Sequence, residues 1–366
     1  MGRYKIYVYA ISKNEEDFVD RWMDSVGEAD QVIVADTGST DQTVERLRAR
    51  GAYVYEESII PWRFDGARNV ALSHVPEDAD ICVSNDLDEV FEPGWRQKLE
   101  DAWLPEHTRA VYRFSWSYHA DGTPEQQFPM EKIHRRKGFR WVRPVHEELQ
   151  YEGAEGENKV QVEGLVLNHR PDPGKPRSQY LPLLELSVSE NPMDDRAAFW
   201  LGREYLYHEK YDQCIEALKR YLSIPSALWG EERSAAMRFI AQCWAAEGDW
   251  AQARGWLFRA IAECQDAREP YCAMADLAYK EQNWPLLYAM VKKGLSILRH
   301  SGSYLVEPAS WGAALYDYGA IAAYQMGLSQ EAYAYAFEAC ERSPGDLRLH
   351  ANLEFLAARL TELARG

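Results

Sequence analysis

Positive charge is what this chain is short of: 41 Lys and Arg stand against 58 Asp and Glu in 366 residues, a formal net charge of -17. Nonspecific binding to nucleic acid or to an anionic membrane is built on phosphate contacts from Lys and Arg, so the balance disfavours both. Closely paired cysteines are missing as well. Cys82, Cys214, Cys243, Cys264, Cys272 and Cys340 include no CxxC spacing and mostly sit inside apolar patterns of one half, which reads as reduced, buried thiols. No apolar run is long enough to span a bilayer, and Met1-Gly2-Arg3 passes straight into the alternating Tyr4-Lys5-Ile6-Tyr7-Val8-Tyr9 without a cleavage site, so the expectation is a cytoplasmic protein.

What is present is aromatic and divided. The 13 Trp and 22 Tyr suggest tightly packed helices or stacking surfaces, and the length suits two domains with separate cores. The first half alternates strand and helix signals: strand Ile6 to Ile11, helix Glu15 to Val26, strand Gln31 to Ala35, helix Thr43 to Arg50, strand Ala52 to Tyr55, helix Asp65 to Leu72 and strand Ile81 to Ser84. That order predicts an α/β domain on a mainly parallel sheet with its ligands at the carboxyl ends of the strands. Less regular strands, Ala110 to Tyr118, Gly138 to Val145 and Val160 to Leu167, would extend the sheet. The Pro- and Gly-bearing stretch Pro171-Asp172-Pro173-Gly174-Lys175-Pro176 sets the domains at 1–176 and 177–366, with Tyr180 to Asn191 as a connecting helix.

The second half is all-α and repeats itself. Tyr211, Trp250, Trp284 and Leu328 each open a helix after a polar or glycine turn, at spacings of 39, 34 and 44 residues that bracket a 34-residue helix-turn-helix unit. Trp200-Leu201-Gly202-Arg203-Glu204-Tyr205, followed by Ala217, Tyr221 and Pro225, resembles the tetratricopeptide signature. Leu347 to Leu363 would be the polar-faced capping helix that such an array needs.

Chemistry concentrates at the strand ends of the first half. Asp86-Leu87-Asp88-Glu89 follows the apolar run Ile81-Cys82-Val83-Ser84, and alternation along a strand points Asp86 and Asp88 to one side. Two such carboxylates repel unless a cation lies between them, and an oxygen-only cluster suits Mg²⁺ or Mn²⁺ better than zinc; a merely solvated strand exit is the plainer reading. Asn14 and Glu15 follow the first strand, Asp36 the second, and Asp65 and Arg68 precede the fourth. Acidic groups there can hold a base and ribose, and Arg68 can neutralise phosphate. Helix capping and turn formation are the alternatives for Asn14, Asp36 and Asp41.

Lys13-Asn14-Glu15-Glu16, Val34-Ala35-Asp36-Thr37-Gly38-Ser39-Thr40-Asp41, Ala67-Arg68-Asn69 and Asp86-Leu87-Asp88-Glu89, in this order, resemble family 2 glycosyltransferases over about the first half of the chain. The resemblance implies a GT-A fold, a nucleotide-diphospho-sugar donor (a UDP-sugar first), Mn²⁺ or Mg²⁺, and inversion at the anomeric carbon. It places Asn14, Glu15, Asp36, Asp65, Arg68 and Asp86 around the donor and Asp88 on the metal. Many members carry a second Asp where this chain has Thr37, which leaves the nucleotide unassigned. Pro144-Val145-His146-Glu147-Glu148 and Leu167-Asn168-His169 resemble the branch with lipopolysaccharide-core glucosyltransferases and peptide S-glycosyltransferases, which often carries helical repeats. In GT-A enzymes a distal His commonly completes the metal shell, which makes His169 the candidate, and by analogy with inverting glycosidases the carboxylate that takes the acceptor proton as general base would be Glu147. A structural His, and a Glu147 paired with the basic run Lys132, Arg135, Arg136, Lys137, Arg140 and Arg143, are the alternatives. That run would close over the diphosphate or form a solvated loop.

The expectation is therefore a metal-dependent inverting glycosyltransferase whose helical array recruits a peptide or protein acceptor or builds a homodimer. Saccharide, lipid-linked and, against the charge balance, nucleic-acid acceptors stay open. A non-catalytic scaffold on a degenerate domain is one rival. A nucleotidyltransferase is another, but it would want a glycine-rich loop with a basic residue after the first strand, where Asn14-Glu15-Glu16 stands.

Overall fold

The computed structural model describes residues 2–119, 121–171 and 179–365, which fall into two compact units, 1–191 and 192–366. The expected boundary at 176/177 lies outside the described residues; the helix Tyr180–Glu190 belongs to the first unit.

In the first unit β1 (Ile6–Ser12), α1 (Val19–Val26), β2 (Gln31–Asp36), α2 (Thr43–Ala49), β3 (Tyr53–Glu56), α3 (Phe64–Ser73) and β4 (Ile81–Ser84) appear in the predicted order. They are followed by β5 (Glu89–Phe91), α4 (Trp95–Ala102), β6 (Arg109–Tyr118), β7 (Pro124–Arg135), β8 (Phe139–Val142), β9 (Glu148–Tyr151), β10 (Lys159–His169) and α5 (Tyr180–Glu190). Eight strands form one sheet in the order β3-β2-β1-β4-β7-β6-β10-β5. The first four are parallel; β7 then runs antiparallel to β4 and β6, and β5 antiparallel to β10, so the sheet is mixed.

Alternation along β1 and β2 divides the core. Ile6, Val8, Ala10, Val32 and Val34 pack with Trp22 and Val26 of α1 and Leu99 of α4, whereas Tyr7, Tyr9, Ile33 and Ala35 pack with Ala71 and Leu72 of α3 and with Trp141. With both faces covered, the central strands read as continuous apolar runs, which is why they are legible in the sequence.

Two expectations need correction. Gly138 to Val145 does not extend the main sheet: β8 pairs with β9 in a separate two-stranded sheet, because β7 already occupies the free edge of β4. Lys132 and Arg135 do not lie in a loop but on β7, a strand of mixed polarity that carries no clear alternation.

The second unit stacks helical hairpins: α6 (Asp195–Tyr207) with α7 (Tyr211–Ser223), α8 (Gly230–Ala246) with α9 (Trp250–Glu263), α10 (Glu269–Lys280) with α11 (Trp284–Ser296), and, after α12 (Pro308–Trp311), α13 (Ala314–Gln325) with α14 (Ser329–Arg342). α15 (Leu347–Arg365) closes the series. The four hairpin turns are alike. Glu209, Gly248, Gln282 and Gly327 each have positive φ, between 55° and 84°, and the amide of the next residue donates to a carbonyl five positions back, as in Lys210 to Tyr205 and Asn283 to Ala278. This helix-ending geometry favours glycine, yet only two of the four turns have one.

Gly202 fixes the first hairpin. A Cβ there would meet Leu218 Cδ2 at 2.3 Å and Cγ at 2.4 Å, and Leu218 is fully buried. Gly202→Ala is expected to destabilise the second unit by about 1–3 kcal/mol through overpacking, whereas Glu209→Gly relieves a left-handed residue and stabilises it by up to about 1 kcal/mol. Urea denaturation of the two variants beside the parent checks both signs.

Candidate active site

The carboxyl ends of β1, β2 and β4 carry the acidic loops foreseen from the sequence. Ser12 and Asp36 are register partners, and the loops that follow are zipped together. Asp36, buried, accepts through Oδ1 from the amides of Gly38 (3.0 Å) and Ser39 (2.8 Å), and through Oδ2 from the hydroxyls of Ser12 (2.8 Å) and Ser39 (2.5 Å). Asn14, at φ 54°, donates its amide to Ser39 Oγ and accepts from the Thr40 amide, both at 2.8 Å. The Glu15 amide donates to Thr43 Oγ1 at 2.7 Å. Asp36 and Asn14 thus shape the loop 37–41.

A second group gathers around Arg68 on α3. Its guanidinium donates two parallel bonds to Asp86, at 2.7 and 2.9 Å, and its Nε donates to Glu147 Oε1 at 2.5 Å. Lys132, brought alongside β4 by β7, donates to Asp86 Oδ2 at 3.1 Å and to Glu89 Oε1 at 2.9 Å, while Glu89 Oε2 accepts the Asp86 amide. Burial opposes ionisation of Asp86, but Arg68 and Lys132 override it and hold its carboxyl far below the usual range. For Glu89 burial prevails over Lys132 and raises the pKa. Asp65 sits apart from this group, gripped by Arg63 at 2.6 and 2.8 Å.

Asp88 and His169 meet because β5 pairs antiparallel with β10. His169 stands opposite Glu89, the Arg170 amide donates to the Asp88 carbonyl at 2.7 Å, and His169 Nε2 lies 3.5 Å from Asp88 Oδ2. Trp116 stacks on the His169 ring, with centroids 4.3 Å apart and planes 15° apart. The Nδ1 of His169 is buried with no hydrogen-bond partner among the described residues. Among those residues no group of three or more His, Cys, Asp or Glu could hold a metal by itself. Asp88 and His169 thus bring one carboxylate and one imidazole together, two groups of the kind that bind divalent ions but not a complete shell.

The structure thus unites Arg68, Asp86 and Glu147, unites Asp88 and His169, and keeps Asn14, Glu15 and Asp36 at the paired carboxyl ends of β1 and β2. Sequence reasoning gave Glu89 no role of its own and did not single out Lys132 or Trp116. Lys132 hid inside a basic run three of whose other members have separate uses: Arg135 meets Tyr151, Arg136 donates to the Val75 carbonyl, and Arg143 pairs with Glu148.

Residues 7–148 match the family model described as Glycosyl transferase family 2. The first unit is a family 2 glycosyltransferase domain. The mixed sheet flanked by helices agrees with a GT-A fold for this glycosyltransferase domain. The helical half is similar to tetratricopeptide proteins. MamA is 17% identical with a TM-score of 0.37, over 46% of this chain and 88% of that one. PilF of Pseudomonas aeruginosa is 15% identical with a TM-score of 0.38, over 49% and 72%. A thermophilic tetratricopeptide protein of Thermus thermophilus is 20% identical with a TM-score of 0.33, over 49% and 89%. No helix among the described residues is long and apolar enough to cross a membrane.

The Arg68 cluster leans on a buried neutral relay. Arg68 lies 5.0 Å over the Trp141 ring, the Trp141 indole donates to Tyr9 Oη at 2.9 Å, and Tyr9 Oη is 2.9 Å from His134 Nε2. His134 Nδ1 lies 2.7 Å from the Arg135 carbonyl, which only a protonated Nδ1 can satisfy, so Nε2 accepts from Tyr9. Burial pushes the His134 imidazole down to about 3. An unfolded His134 takes its proton near pH 6.5. Between these values the unfolded chain binds more protons, so stability falls as pH drops, by up to about 1.4 kcal/mol per pH unit. Urea denaturation at steps from pH 7 to pH 4.5 should show a shallower pH dependence in His134→Gln than in the parent.

Proposed function

We propose that the chain is a metal-dependent, inverting glycosyltransferase that moves a sugar from a nucleotide-diphospho-sugar, a UDP-sugar first, to a peptide or protein acceptor engaged by the helical repeats. The observation that carries the reading is the approach of Asp88 to His169 beside the Arg68-held pair of Asp86 and Glu147. Asp88 and His169 would hold Mn²⁺ or Mg²⁺, with donor phosphate oxygens completing the shell. The ion, when bound, would offset the charge of the departing nucleoside diphosphate.

Glu147 gives Oε1 to Arg68 and would take the acceptor proton on Oε2, an ionised carboxylate being the form able to accept it. Arg68 also orients Asp86, whose carboxylate would receive hydroxyls of the donor ribose or sugar. Asp36, its oxygens given to Ser12, Gly38 and Ser39, would serve the nucleoside by holding the 37–41 loop in shape, with Asn14 and Glu15 bracing that loop from β1. Asp65 would act on the donor side through Arg63.

Thermal shift with UDP-, GDP- and dTDP-sugars, each with and without Mn²⁺, tests the reading. At a ligand concentration one hundred times Kd the gain is about 2.7 kcal/mol, and it should require Mn²⁺ and vanish in Asp88→Ala, which should fold as the parent does. A shift undiminished in Asp88→Ala, or none in the parent with any of the sugars, would refute it.

A further inference from the structure

Between α11 and α13 the array departs from its repeat, in the same interval that spans 44 residues rather than 34 in the sequence. The segment 297–311 leaves and returns at one point. Arg268 Nε donates to the Ile297 carbonyl at 2.8 Å, and its guanidinium lies 4.2 Å over the Trp311 ring. Compact loops with joined ends are frequently functional.

Away from that neck the segment reaches the first helices of three successive hairpins, α6, α8 and α10. Ser301 and Ser303 donate to Glu231 Oε2 at 2.9 and 2.6 Å. Tyr304 donates to Glu232 Oε2 at 2.6 Å, while Oε1 of the same buried carboxylate accepts from Tyr221 at 2.9 Å. The Tyr304 ring stacks on Trp200 (5.7 Å, 18°) and meets Trp229 edge-on (5.5 Å, 64°). Leu305 packs on the cluster containing Phe199 and Ala227. Glu307 accepts from Arg238 at 2.5 Å, and its amide donates to Glu269 at 3.1 Å.

These contacts have the form of a bound peptide: an aromatic residue between two indoles, an aliphatic one beside it, hydroxyls on carboxylates and one carboxylate on an arginine. The fit is not that of a core. The segment is half-buried at Tyr304 and Leu305 and exposed at Ser301 and Glu307, and a void of about 40 Å³, room for about one water, remains between it and α8 and α10. Stacked helical repeats present one continuous row to such ligands.

We propose that the row of α6, α8 and α10 is a peptide-binding groove, and that residues 301–307 are an internal occupant displaced by a partner protein carrying the same chemistry. That partner segment has a Tyr-Leu pair preceded by Ser or Thr and followed, two residues after the Leu, by an acidic residue. Glu231, Glu232 and Glu269 select for hydroxyl and amide donors, and Arg238 accommodates the one carboxylate. The groove is independent of whether the first unit transfers sugar.

The test is binding of a dye-labelled heptapeptide with the sequence of residues 301–307 to the full chain, followed by fluorescence anisotropy. Tyr304→Ala empties the slot and should bind the peptide saturably, at least tenfold more tightly than the parent, whose own segment competes. Adding Trp200→Ala should abolish that gain. Absence of saturable binding to a Tyr304→Ala chain with the parent's circular dichroism, or equal binding by parent, single and double variants, would overturn the proposal. Hydrogen exchange on the parent decides the matter if Tyr304→Ala does not fold: amides of 301–307 should exchange at least tenfold faster than the centre of α8. Equal rates would mark the segment as a permanent staple and the proposal as wrong.

Discussion

The first unit depends on the pairing of Arg68 with Asp86 and Glu147. An unpaired buried charge is far costlier than a lost surface ion pair, so each member holds the others in place. Arg68 belongs to α3, Asp86 to the end of β4, and Glu147 to the turn between the two small strands β8 and β9. Three segments distant in sequence therefore converge on one guanidinium. Lys132 adds a fourth, because β7 runs antiparallel beside β4 and presents its ammonium to Asp86 and Glu89. Burial disfavours the charge on Lys132, but the two carboxylates hold its pKa above the ordinary value. The arrangement fixes the carboxylates of Asp86 and Glu147 through the protein's own cations, which is what preorganised electrostatics requires.

How much of this could be read beforehand follows from the physics of each element. The parallel strands β1, β2 and β4 are buried on both faces and announce themselves as apolar runs, and the residues at their ends are fixed by topology alone. Asp36, Asp86 and Asp88 were legible for that reason. β7 was not, because Glu131-Lys132-Ile133-His134 mixes ionised and apolar residues without the alternation of a one-sided strand, and its pairing with β4 is a long-range event that local pattern cannot register. Glu89 drew no role of its own from the strand-end pattern, because only burial and the approach of Lys132, both long-range features, make it part of the network. The helical hairpins were legible from their turns, although Glu209 and Gln282 adopt the left-handed conformation where a sequence reader would look for glycine.

The metal reading gains from the same balance of charge. Asp86, Glu89 and Glu147 surround two cations, Arg68 and Lys132, and Asp88 adds a further carboxylate at the rim next to an imidazole. Over Asp86, Asp88, Glu89 and Glu147 against Arg68 and Lys132 the formal charge is negative even after internal pairing, with Arg21 also within electrostatic reach of Asp88, and a nucleoside diphosphate would add more negative charge. A divalent cation at Asp88 and His169 would bring the donor's phosphates against that acidic rim without repulsion. Arg68 would then not be needed as the phosphate partner, since both edges of its guanidinium are already engaged by carboxylates. Sequence reasoning assigned Arg68 to the donor; with its guanidinium paired to Asp86 and Glu147, the proposal gives Arg68 the ordering of the carboxylates and would leave the phosphate charge to the ion.

The helical unit carries its acidity differently. In the groove of α6, α8 and α10 the carboxylates Glu231, Glu232 and Glu269 are met by neutral donors, hydroxyls, an indole and an amide, rather than by lysines. A hydrogen bond from a neutral donor to a buried carboxylate stabilises the charge less than an ion pair does, and Glu232 accordingly keeps a raised pKa, burial being the main cause. Carboxylates satisfied by neutral donors can exchange one set for another at little electrostatic cost, whereas the groove's one ion pair to the segment, buried Arg238 with Glu307, would leave a bare charge unless the arriving partner brings a carboxylate of its own. The two units therefore use surplus negative charge in opposite ways: the sheet end is locked by its own cations, and the helical row is satisfied by donors that a partner could replace.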